Sequence, residues 1–130
     1  MRCLGLVVIA AAFVVAGCSR SYTLMLYPWQ SGQYKYDLAI DGKPRQLDKT
    51  TFTLSVYDMD GNPIQDCSPT VDLTMPSMTM PPSIIRLTQV KPGIYAGKGQ
   101  YTMSGQWSVK VDIDRGGKPL STHTVPVTVQ

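Results

Sequence analysis

The sequence is poor in the residues that carry most enzyme chemistry. Its 130 residues include one histidine and three cysteines, and all nine acidic side chains are aspartates because glutamate is absent. No nucleophile elbow, phosphate-binding glycine loop or metalloenzyme spacing occurs. Lysine and arginine form no runs, which argues against nucleic-acid binding. We therefore expect a protein that is not an enzyme.

The N-terminus carries a secretion signal. Arg2 supplies a positive charge before an apolar run over residues 4–15, which is too short to span a hydrocarbon core of ~30 Å. The small residues Ala16 and Gly17 then precede Cys18, so a peptidase can reach the bond and the thiol can accept a diacylglycerol. This segment resembles the lipobox of bacterial lipoproteins. An ordinary signal peptide with a chance cysteine is the alternative.

The lipobox resemblance implies a location. It predicts a signal peptide over residues 1–17 and a lipid anchor on Cys18 that holds the chain in the cell envelope, facing the periplasm. Ser19 follows the cysteine in place of an aspartate that would favour the inner membrane, so the outer membrane is favoured. Residues 18–32 are predicted to be the lipidated cysteine and a tether of at most roughly 50 Å. Alternatively, Tyr27, Pro28 and Trp29 of this segment pack on the domain.

Residues 33–130 are predicted to form one all-β domain of about seven strands. Apolar residues alternate with polar ones, turn sequences recur, and no stretch keeps a 3.6-residue period. Such spacing favours an antiparallel immunoglobulin-like β-sandwich, with an antiparallel barrel as the alternative. The clearest alternation is that of Trp107, Val109, Val111 and Ile113.

One cysteine has no predicted disulfide partner. Cys3 leaves with the signal and Cys18 is acylated, so Cys67 stands alone. A pair formed by Cys67 and His123 would place a base beside a thiol, as nucleophilic catalysis requires. Both residues, however, share parity with the inward-facing residues of their strands. A buried thiol and an imidazole at a strand end are therefore the favoured interpretation.

Methionine is concentrated in one segment. Three methionines lie in the sequence Met75-Pro-Ser-Met78-Thr-Met80, followed by two prolines. Thioether sulfur is soft and uncharged, so it suits Cu(I) better than harder divalent ions. Methionine also fills gaps in cores and forms adaptable contact surfaces, which is the simpler interpretation. The candidate metal ligands are Met75, Met78, Met80, Met103 and His123.

The order of motifs resembles a known family. Gly61-Asn-Pro-Ile64, the Met75–Met80 segment, Pro92-Gly-Ile-Tyr95 and Met103-Ser-Gly-Gln-Trp107 follow one another along the chain. This order is similar to that of the YtkA-like and FixH-like domains of bacterial envelope proteins. The resemblance implies an immunoglobulin-like sandwich that accompanies copper handling, heavy-metal efflux or assembly of copper-containing oxidases.

Residue by residue, the resemblance gives Met75, Met78, Met80 and Met103 the family's methionine positions and makes Trp107 its core tryptophan. Relatives often have histidines where this chain has serine and threonine, between and beside the methionines. The loss of imidazole weakens a Cu(II) site and leaves a Cu(I)–thioether site.

Three functions follow as hypotheses. The first is a non-catalytic, membrane-anchored accessory lipoprotein that handles copper, with Cu(I) as the expected metal and an envelope protein as partner. The second is a module without metal that docks onto an envelope complex. The third, the least favoured, is an enzyme with Cys67 as its nucleophile.

Overall fold

A computed structural model describes residues 23–130 of the chain. The predicted signal peptide, its cleavage site and Cys18 lie outside the described residues. Within them no helix is long and apolar enough to cross a membrane. The described residues form nine strands: β1 (Leu24–Ser31), β2 (Tyr34–Asp41), β3 (Lys49–Asp58), β4 (Cys67–Thr74), β5 (Ile84–Arg86), β6 (Thr88–Lys91), β7 (Ile94–Gln100), β8 (Gly105–Arg115) and β9 (Lys118–Val129).

The strands make two antiparallel sheets. One has the order β1-β2-β3-β7-β6 and the other the order β5-β4-β8-β9. Each sheet keeps its own two edges, so the fold is a sandwich and not a closed barrel. The chain passes between the sheets three times, after β3, after β5 at Leu87, and after β7. The prediction of an all-β, immunoglobulin-like antiparallel sandwich is confirmed.

The core lies between the sheets and is filled by alternate residues. In β8, Trp107, Val109, Val111 and Ile113 are all buried, while their neighbours point outward. Because side chains alternate across a strand, this period of two sends one face of each sheet into the core. Tyr101 packs edge-to-face against Trp107, with ring centroids 5.4 Å apart.

Strand β1 lies within the segment predicted as the tether, and Tyr27 and Trp29 pack against the core, as the alternative for this segment had it. The strand pairs with β2 along its whole length, from Leu24 opposite Asp41 to Ser31 opposite Tyr34. Leu24 to Leu26 are three consecutive apolar residues, so the start of this strand lacks the alternation of apolar and polar residues that predicts a strand. Proline is rare inside strands, but Pro28 is tolerated here because β1 is at the edge of its sheet.

Strand β6 is the second addition to the seven expected strands. All four of its residues are exposed, so no apolar alternation marks it in the sequence. It pairs with β7 at the sheet edge through a ladder with a shift in register. The turn that follows it places Gly93 at a φ of 74°, which accounts for glycine at that position.

The sandwich has two ends, which we name by their residues. The methionine end comprises the loops of residues 42–48, 75–83 and 101–104, together with Thr23 and Gln130. The cysteine end comprises the turns of residues 32–33, 59–66, 92–93 and 116–117, beside Cys67. The antiparallel ladders fix this division, because consecutive connections alternate between the ends.

Candidate functional site

The loop after β4 folds back on itself through its methionines. Met75 continues the inward parity of β4 and is buried, and its backbone N–H donates to Sδ of Met80 at 3.3 Å. The backbone N–H of Met78 donates to the carbonyl oxygen of Met75 at 3.2 Å. Met80 is half-buried and packs against the core. Both Met75 and Met80 are thus held in place, while the loop between them bulges outward.

A second loop, residues 101–104, reaches the same end of the sandwich. The carbonyl oxygen of Met103 accepts a hydrogen bond from Nε1 of Trp107 at 2.9 Å, which fixes this loop to the start of β8. The methyl carbon Cε of Met75 lies 3.1 Å from the point where a Cβ on Gly105 would stand. The two methionine-bearing loops therefore meet around Gly105.

Exposure divides the four methionines into two pairs. Met78 and Met103 expose 46% and 47% of their surface. Met75 is 7% exposed, and the exposure of Met80 is intermediate. The side chains of Met78 and Met103 are thus open to solvent, whereas Met75 is buried and Met80 is half-buried. The importance of Gly105 was missed, although the Met103-Ser-Gly-Gln-Trp107 spacing carried the signal.

His123 does not join the methionines. It lies on β9 opposite Val111, and its ring stacks on that of Trp29 with centroids 4.4 Å apart. Val111 is four residues along β8 from Trp107, a distance of ~13 Å at ~3.3 Å per residue. The predicted grouping of His123 with the methionine ligands does not fit this placement, because the residue belongs to an aromatic stack between β1 and β9.

Cys67 and His123 are not partners either. Cys67 lies opposite Arg115, at the start of β4, whereas His123 lies opposite Val111 further along β8. The Cys67 side chain has the predicted inward parity and is half-buried. Burial raises the pKa of the Cys67 thiol. A thiol with a raised pKa and no adjacent base is a poor nucleophile at neutral pH.

Polar side chains hold the cysteine end together. Tyr95 accepts a hydrogen bond from the backbone N–H of Cys67 at 3.1 Å and donates to the carbonyl of Ile64 at 2.8 Å. Nε of Arg115 lies 2.8 Å from Oδ1 of Asp66, and its Nη1 donates to the hydroxyl of Tyr34 at 2.9 Å. The Arg115 guanidinium holds the pKa of Asp66 below its usual range.

A shallow groove of about 500 Å³ opens at the cysteine end, between β4 and β6. Its lining includes Cys67, Thr70, Gln89 and Tyr95. Nearby, the hydroxyl of Tyr36 is buried without a hydrogen-bond partner among the described residues, and burial raises the pKa of Tyr36 to about 12.

The donor set at the methionine end decides which metal it suits. The described residues contain no group of three histidine, cysteine, aspartate or glutamate side chains that could hold a metal ion. The methionines of this end offer thioether sulfur, a donor that favours Cu(I) over Cu(II) or zinc. A monovalent copper ion is therefore the metal that such donors would suit.

The model of the YtkA-like family matches residues 30–112 of the chain. The chain belongs to the YtkA-like family. The matched range contains both methionine-bearing loops, residues 75–83 and 101–104, together with Trp107. A solved structure, the crystal structure of the Lin-41 filamin domain, is similar to the YtkA-like chain at 18% identity and a TM-score of 0.49. That similarity covers 68% of this chain and 83% of the filamin domain chain. No curated protein matches the YtkA-like chain.

Proposed function

We propose that this protein is a non-catalytic lipoprotein, anchored in the cell envelope by a lipid on Cys18, that handles copper as an accessory to heavy-metal handling or oxidase assembly. The observation that carries the proposal is the meeting of the two methionine-bearing loops around Gly105. Met78 and Met103, whose side chains are exposed, belong one to each of these loops, and half-buried Met80 belongs to the same loop as Met78. Copper is the cargo in this proposal.

Each methionine has its own role. Met78 and Met103 are the first ligands, because their side chains are open to solvent. Met80 uses one sulfur lone pair to accept the N–H of Met75, which leaves the other for an ion. Met75 is buried and positions the loop. Thioethers need no deprotonation, so copper binding persists in acid, where thiolate and imidazole sites lose their metal.

The proposal is tested by titrating the purified protein with Cu(I) in the presence of a competing chelator. We expect the double variant Met78→Leu/Met103→Leu to lose at least about tenfold in affinity, because leucine keeps the volume and removes the sulfur. Met59→Leu is the matched control, since Met59 is 42% exposed and lies at the cysteine end. Its affinity should equal that of the unmodified protein.

An equal affinity in the double variant and the control would remove the methionine site from the proposal. The second candidate function, a docking module without metal, is favoured by the exposed apolar side chains at the methionine end. It predicts that a photocrosslinker at position 78 captures one specific envelope protein in cells, and that Cu(I) does not bind.

A non-enzymatic role is part of the proposal. It is supported by the separation of Cys67 from His123 and by the raised pKa of the thiol. An enzyme that uses Cys67 would need a base beside the sulfur to form the thiolate.

A further inference from the structure

Exposed apolar side chains are distributed unevenly over the sandwich. Of the nine large ones on the described residues, only Met59 and Val90 lie toward the cysteine end. The other seven lie in the half nearer the methionine end: Leu24, Met25, Leu26, Leu47, Met78, Ile84 and Met103. An apolar concentration of this kind on one side of a small domain marks a contact surface.

The methionine end is one continuous surface. The backbone N–H of Gly42 donates to the carbonyl of Thr23 at 2.7 Å, which joins the start of β1 to the loop of residues 42–48. That loop is joined in turn to the loop of residues 101–104: the N–H of Ser104 donates to Oε1 of Gln46 at 3.2 Å. The loop of residues 75–83 adjoins this surface at Gly105.

The chain enters the domain on this same surface. Thr23 lies at the methionine end, and Cys18 precedes it by five residues in the sequence. A fully extended segment of five residues reaches at most ~18 Å. A lipid on Cys18 would therefore hold the methionine end, and not the cysteine end, next to the bilayer.

We propose that the methionine end rests on the phospholipid surface of the membrane that holds Cys18, with Leu47 and Met78 in the boundary between headgroups and acyl chains. This inference rests on the lipid anchor of the proposed function. The apolar side chains enter the boundary because burial there removes them from water. Methionine and leucine supply this contact without a buried charge.

The charges around this end fit an anionic lipid surface. Lys43, Arg45 and Lys49 are exposed there, against the acids Asp41 and Asp48. Exposed lysine and arginine close to a bilayer are attracted by its anionic headgroups. Copper bound at Met78 and Met103 would consequently be held at the membrane surface, where a membrane-embedded partner can receive it.

The test places a polarity-sensitive fluorophore at single cysteines in a Cys67→Ser background of the full lipidated protein. The vesicles consist of phosphatidylethanolamine and phosphatidylglycerol with brominated acyl chains. Leu47→Cys and Met78→Cys probe the methionine end, and Val90→Cys and Met59→Cys are controls that match them in exposure. We expect brominated lipid to quench labels at 47 and 78 at least about twofold more than labels at 59 and 90.

Mass spectrometry of the intact protein separates the two proposals. If Cys18 carries the lipid and all four labels are quenched equally, the docking inference is overturned and the anchor stands. If Cys18 carries no lipid, the anchor fails and the inference fails with it. The inference would also be overturned if the labels at positions 47 and 78 were protected from water only after a membrane protein was added. The inference requires that the lipid surface itself covers these positions.

Discussion

The environment of Cys67 is set by its place at the first residue of β4. Its backbone N–H is satisfied by the hydroxyl of Tyr95, and its side chain faces inward beside the groove of the cysteine end. Desolvation is the largest cause of the raised thiol pKa, and the hydrogen bond with Tyr95 opposes it. Burial disfavours the thiolate, which is the reactive form of cysteine.

We expect iodoacetamide to alkylate Cys67 on the order of tenfold more slowly in the folded protein than in urea-unfolded protein at mildly alkaline pH. Alkylation is expected to be slower in the folded protein because its thiol pKa is raised. At a given pH below that pKa, the folded state contains less thiolate than the unfolded state. Mass spectrometry of timed samples measures the rate, with Cys67→Ser as the unlabelled control. Equal rates in the two states would instead favour a reactive thiol.

The inward parity of Cys67 and Met75 is predictable from the sequence, because both follow the period of two that runs through β4. The partners of Cys67 are not, since Tyr95 and Arg115 come from strands far along the chain. His123 shows the same limit. The inward orientation of His123 could be predicted from the alternation in β9, but its stacking on Trp29 depends on how β1 and β9 face each other across the sandwich.

At the scale of elements, β1 joins the two sheets along one open side. The indole of Trp29 stacks between Tyr36, at 5.1 Å between centroids, and His123, at 4.4 Å. Its Nε1 also donates to Oγ of Ser121 on β9 at 3.1 Å. The side chain is half-buried and stacks on the core residue Tyr36, so it supplies apolar contact and a hydrogen bond where the edges of the two sheets meet.

We expect Trp29→Ala to lower the free energy of unfolding by about 2–3 kcal/mol, less than full burial of a tryptophan would give. Gln30→Ala, at an exposed position of the same strand, should change it by less than about 0.5 kcal/mol. Urea denaturation followed by circular dichroism measures both. Similar values for the two variants would mean that β1 contributes nothing to the sandwich and belongs to the tether.

Strand prediction succeeded where one face of the strand is buried and the other is not. β8 is the clearest case, because its four buried residues alternate with polar ones. β1 and β6 were missed for different reasons. β1 begins with a run of exposed apolar residues and contains a proline, and β6 buries no residue at all, so neither carries the pattern.

At the scale of the whole molecule, two carboxylates at the cysteine end, those of Asp58 and Asp66, have lowered pKa values. Hydrogen bonding from the backbone N–H of Asn62 lowers the pKa of Asp58, with help from the N–H of Asp60. The guanidinium of Arg115 lowers that of Asp66. A folded-state pKa below the unfolded value means that the unfolded chain binds more protons, so stability rises with pH.

We therefore expect the melting temperature to fall as the pH drops below about 4, which is near the pKa of an aspartate in the unfolded chain. The fall should continue until the pH is below the lowered pKa values of Asp58 and Asp66 in the folded protein. The double variant Asp58→Asn/Asp66→Asn should melt lower at neutral pH and show a flatter pH profile. Differential scanning calorimetry across this range measures both effects. Asp48→Asn, an exposed acid at the methionine end, is the control, and an unchanged slope in the double variant would contradict the assignment.

The all-β class follows from composition and alternation, and the need to cover the apolar faces of so many short strands favours two packed sheets over a barrel. The gathering of exposed apolar side chains at one end does not follow. Leu47, Met78 and Met103 come from three separate loops, and only the order of strands in the two sheets brings those loops together.

The path of β1 also determines how the domain bears a load. Its hydrogen bonds with β2 run across the strands, so a pull on Thr23 along the long axis of the sandwich strains all the pairs from Leu24 to Ser31 at once. A sideways pull opens the same ladder one pair at a time, starting at Leu24. A domain held through residue 23 is thus mechanically strong under axial tension and weak under lateral peeling.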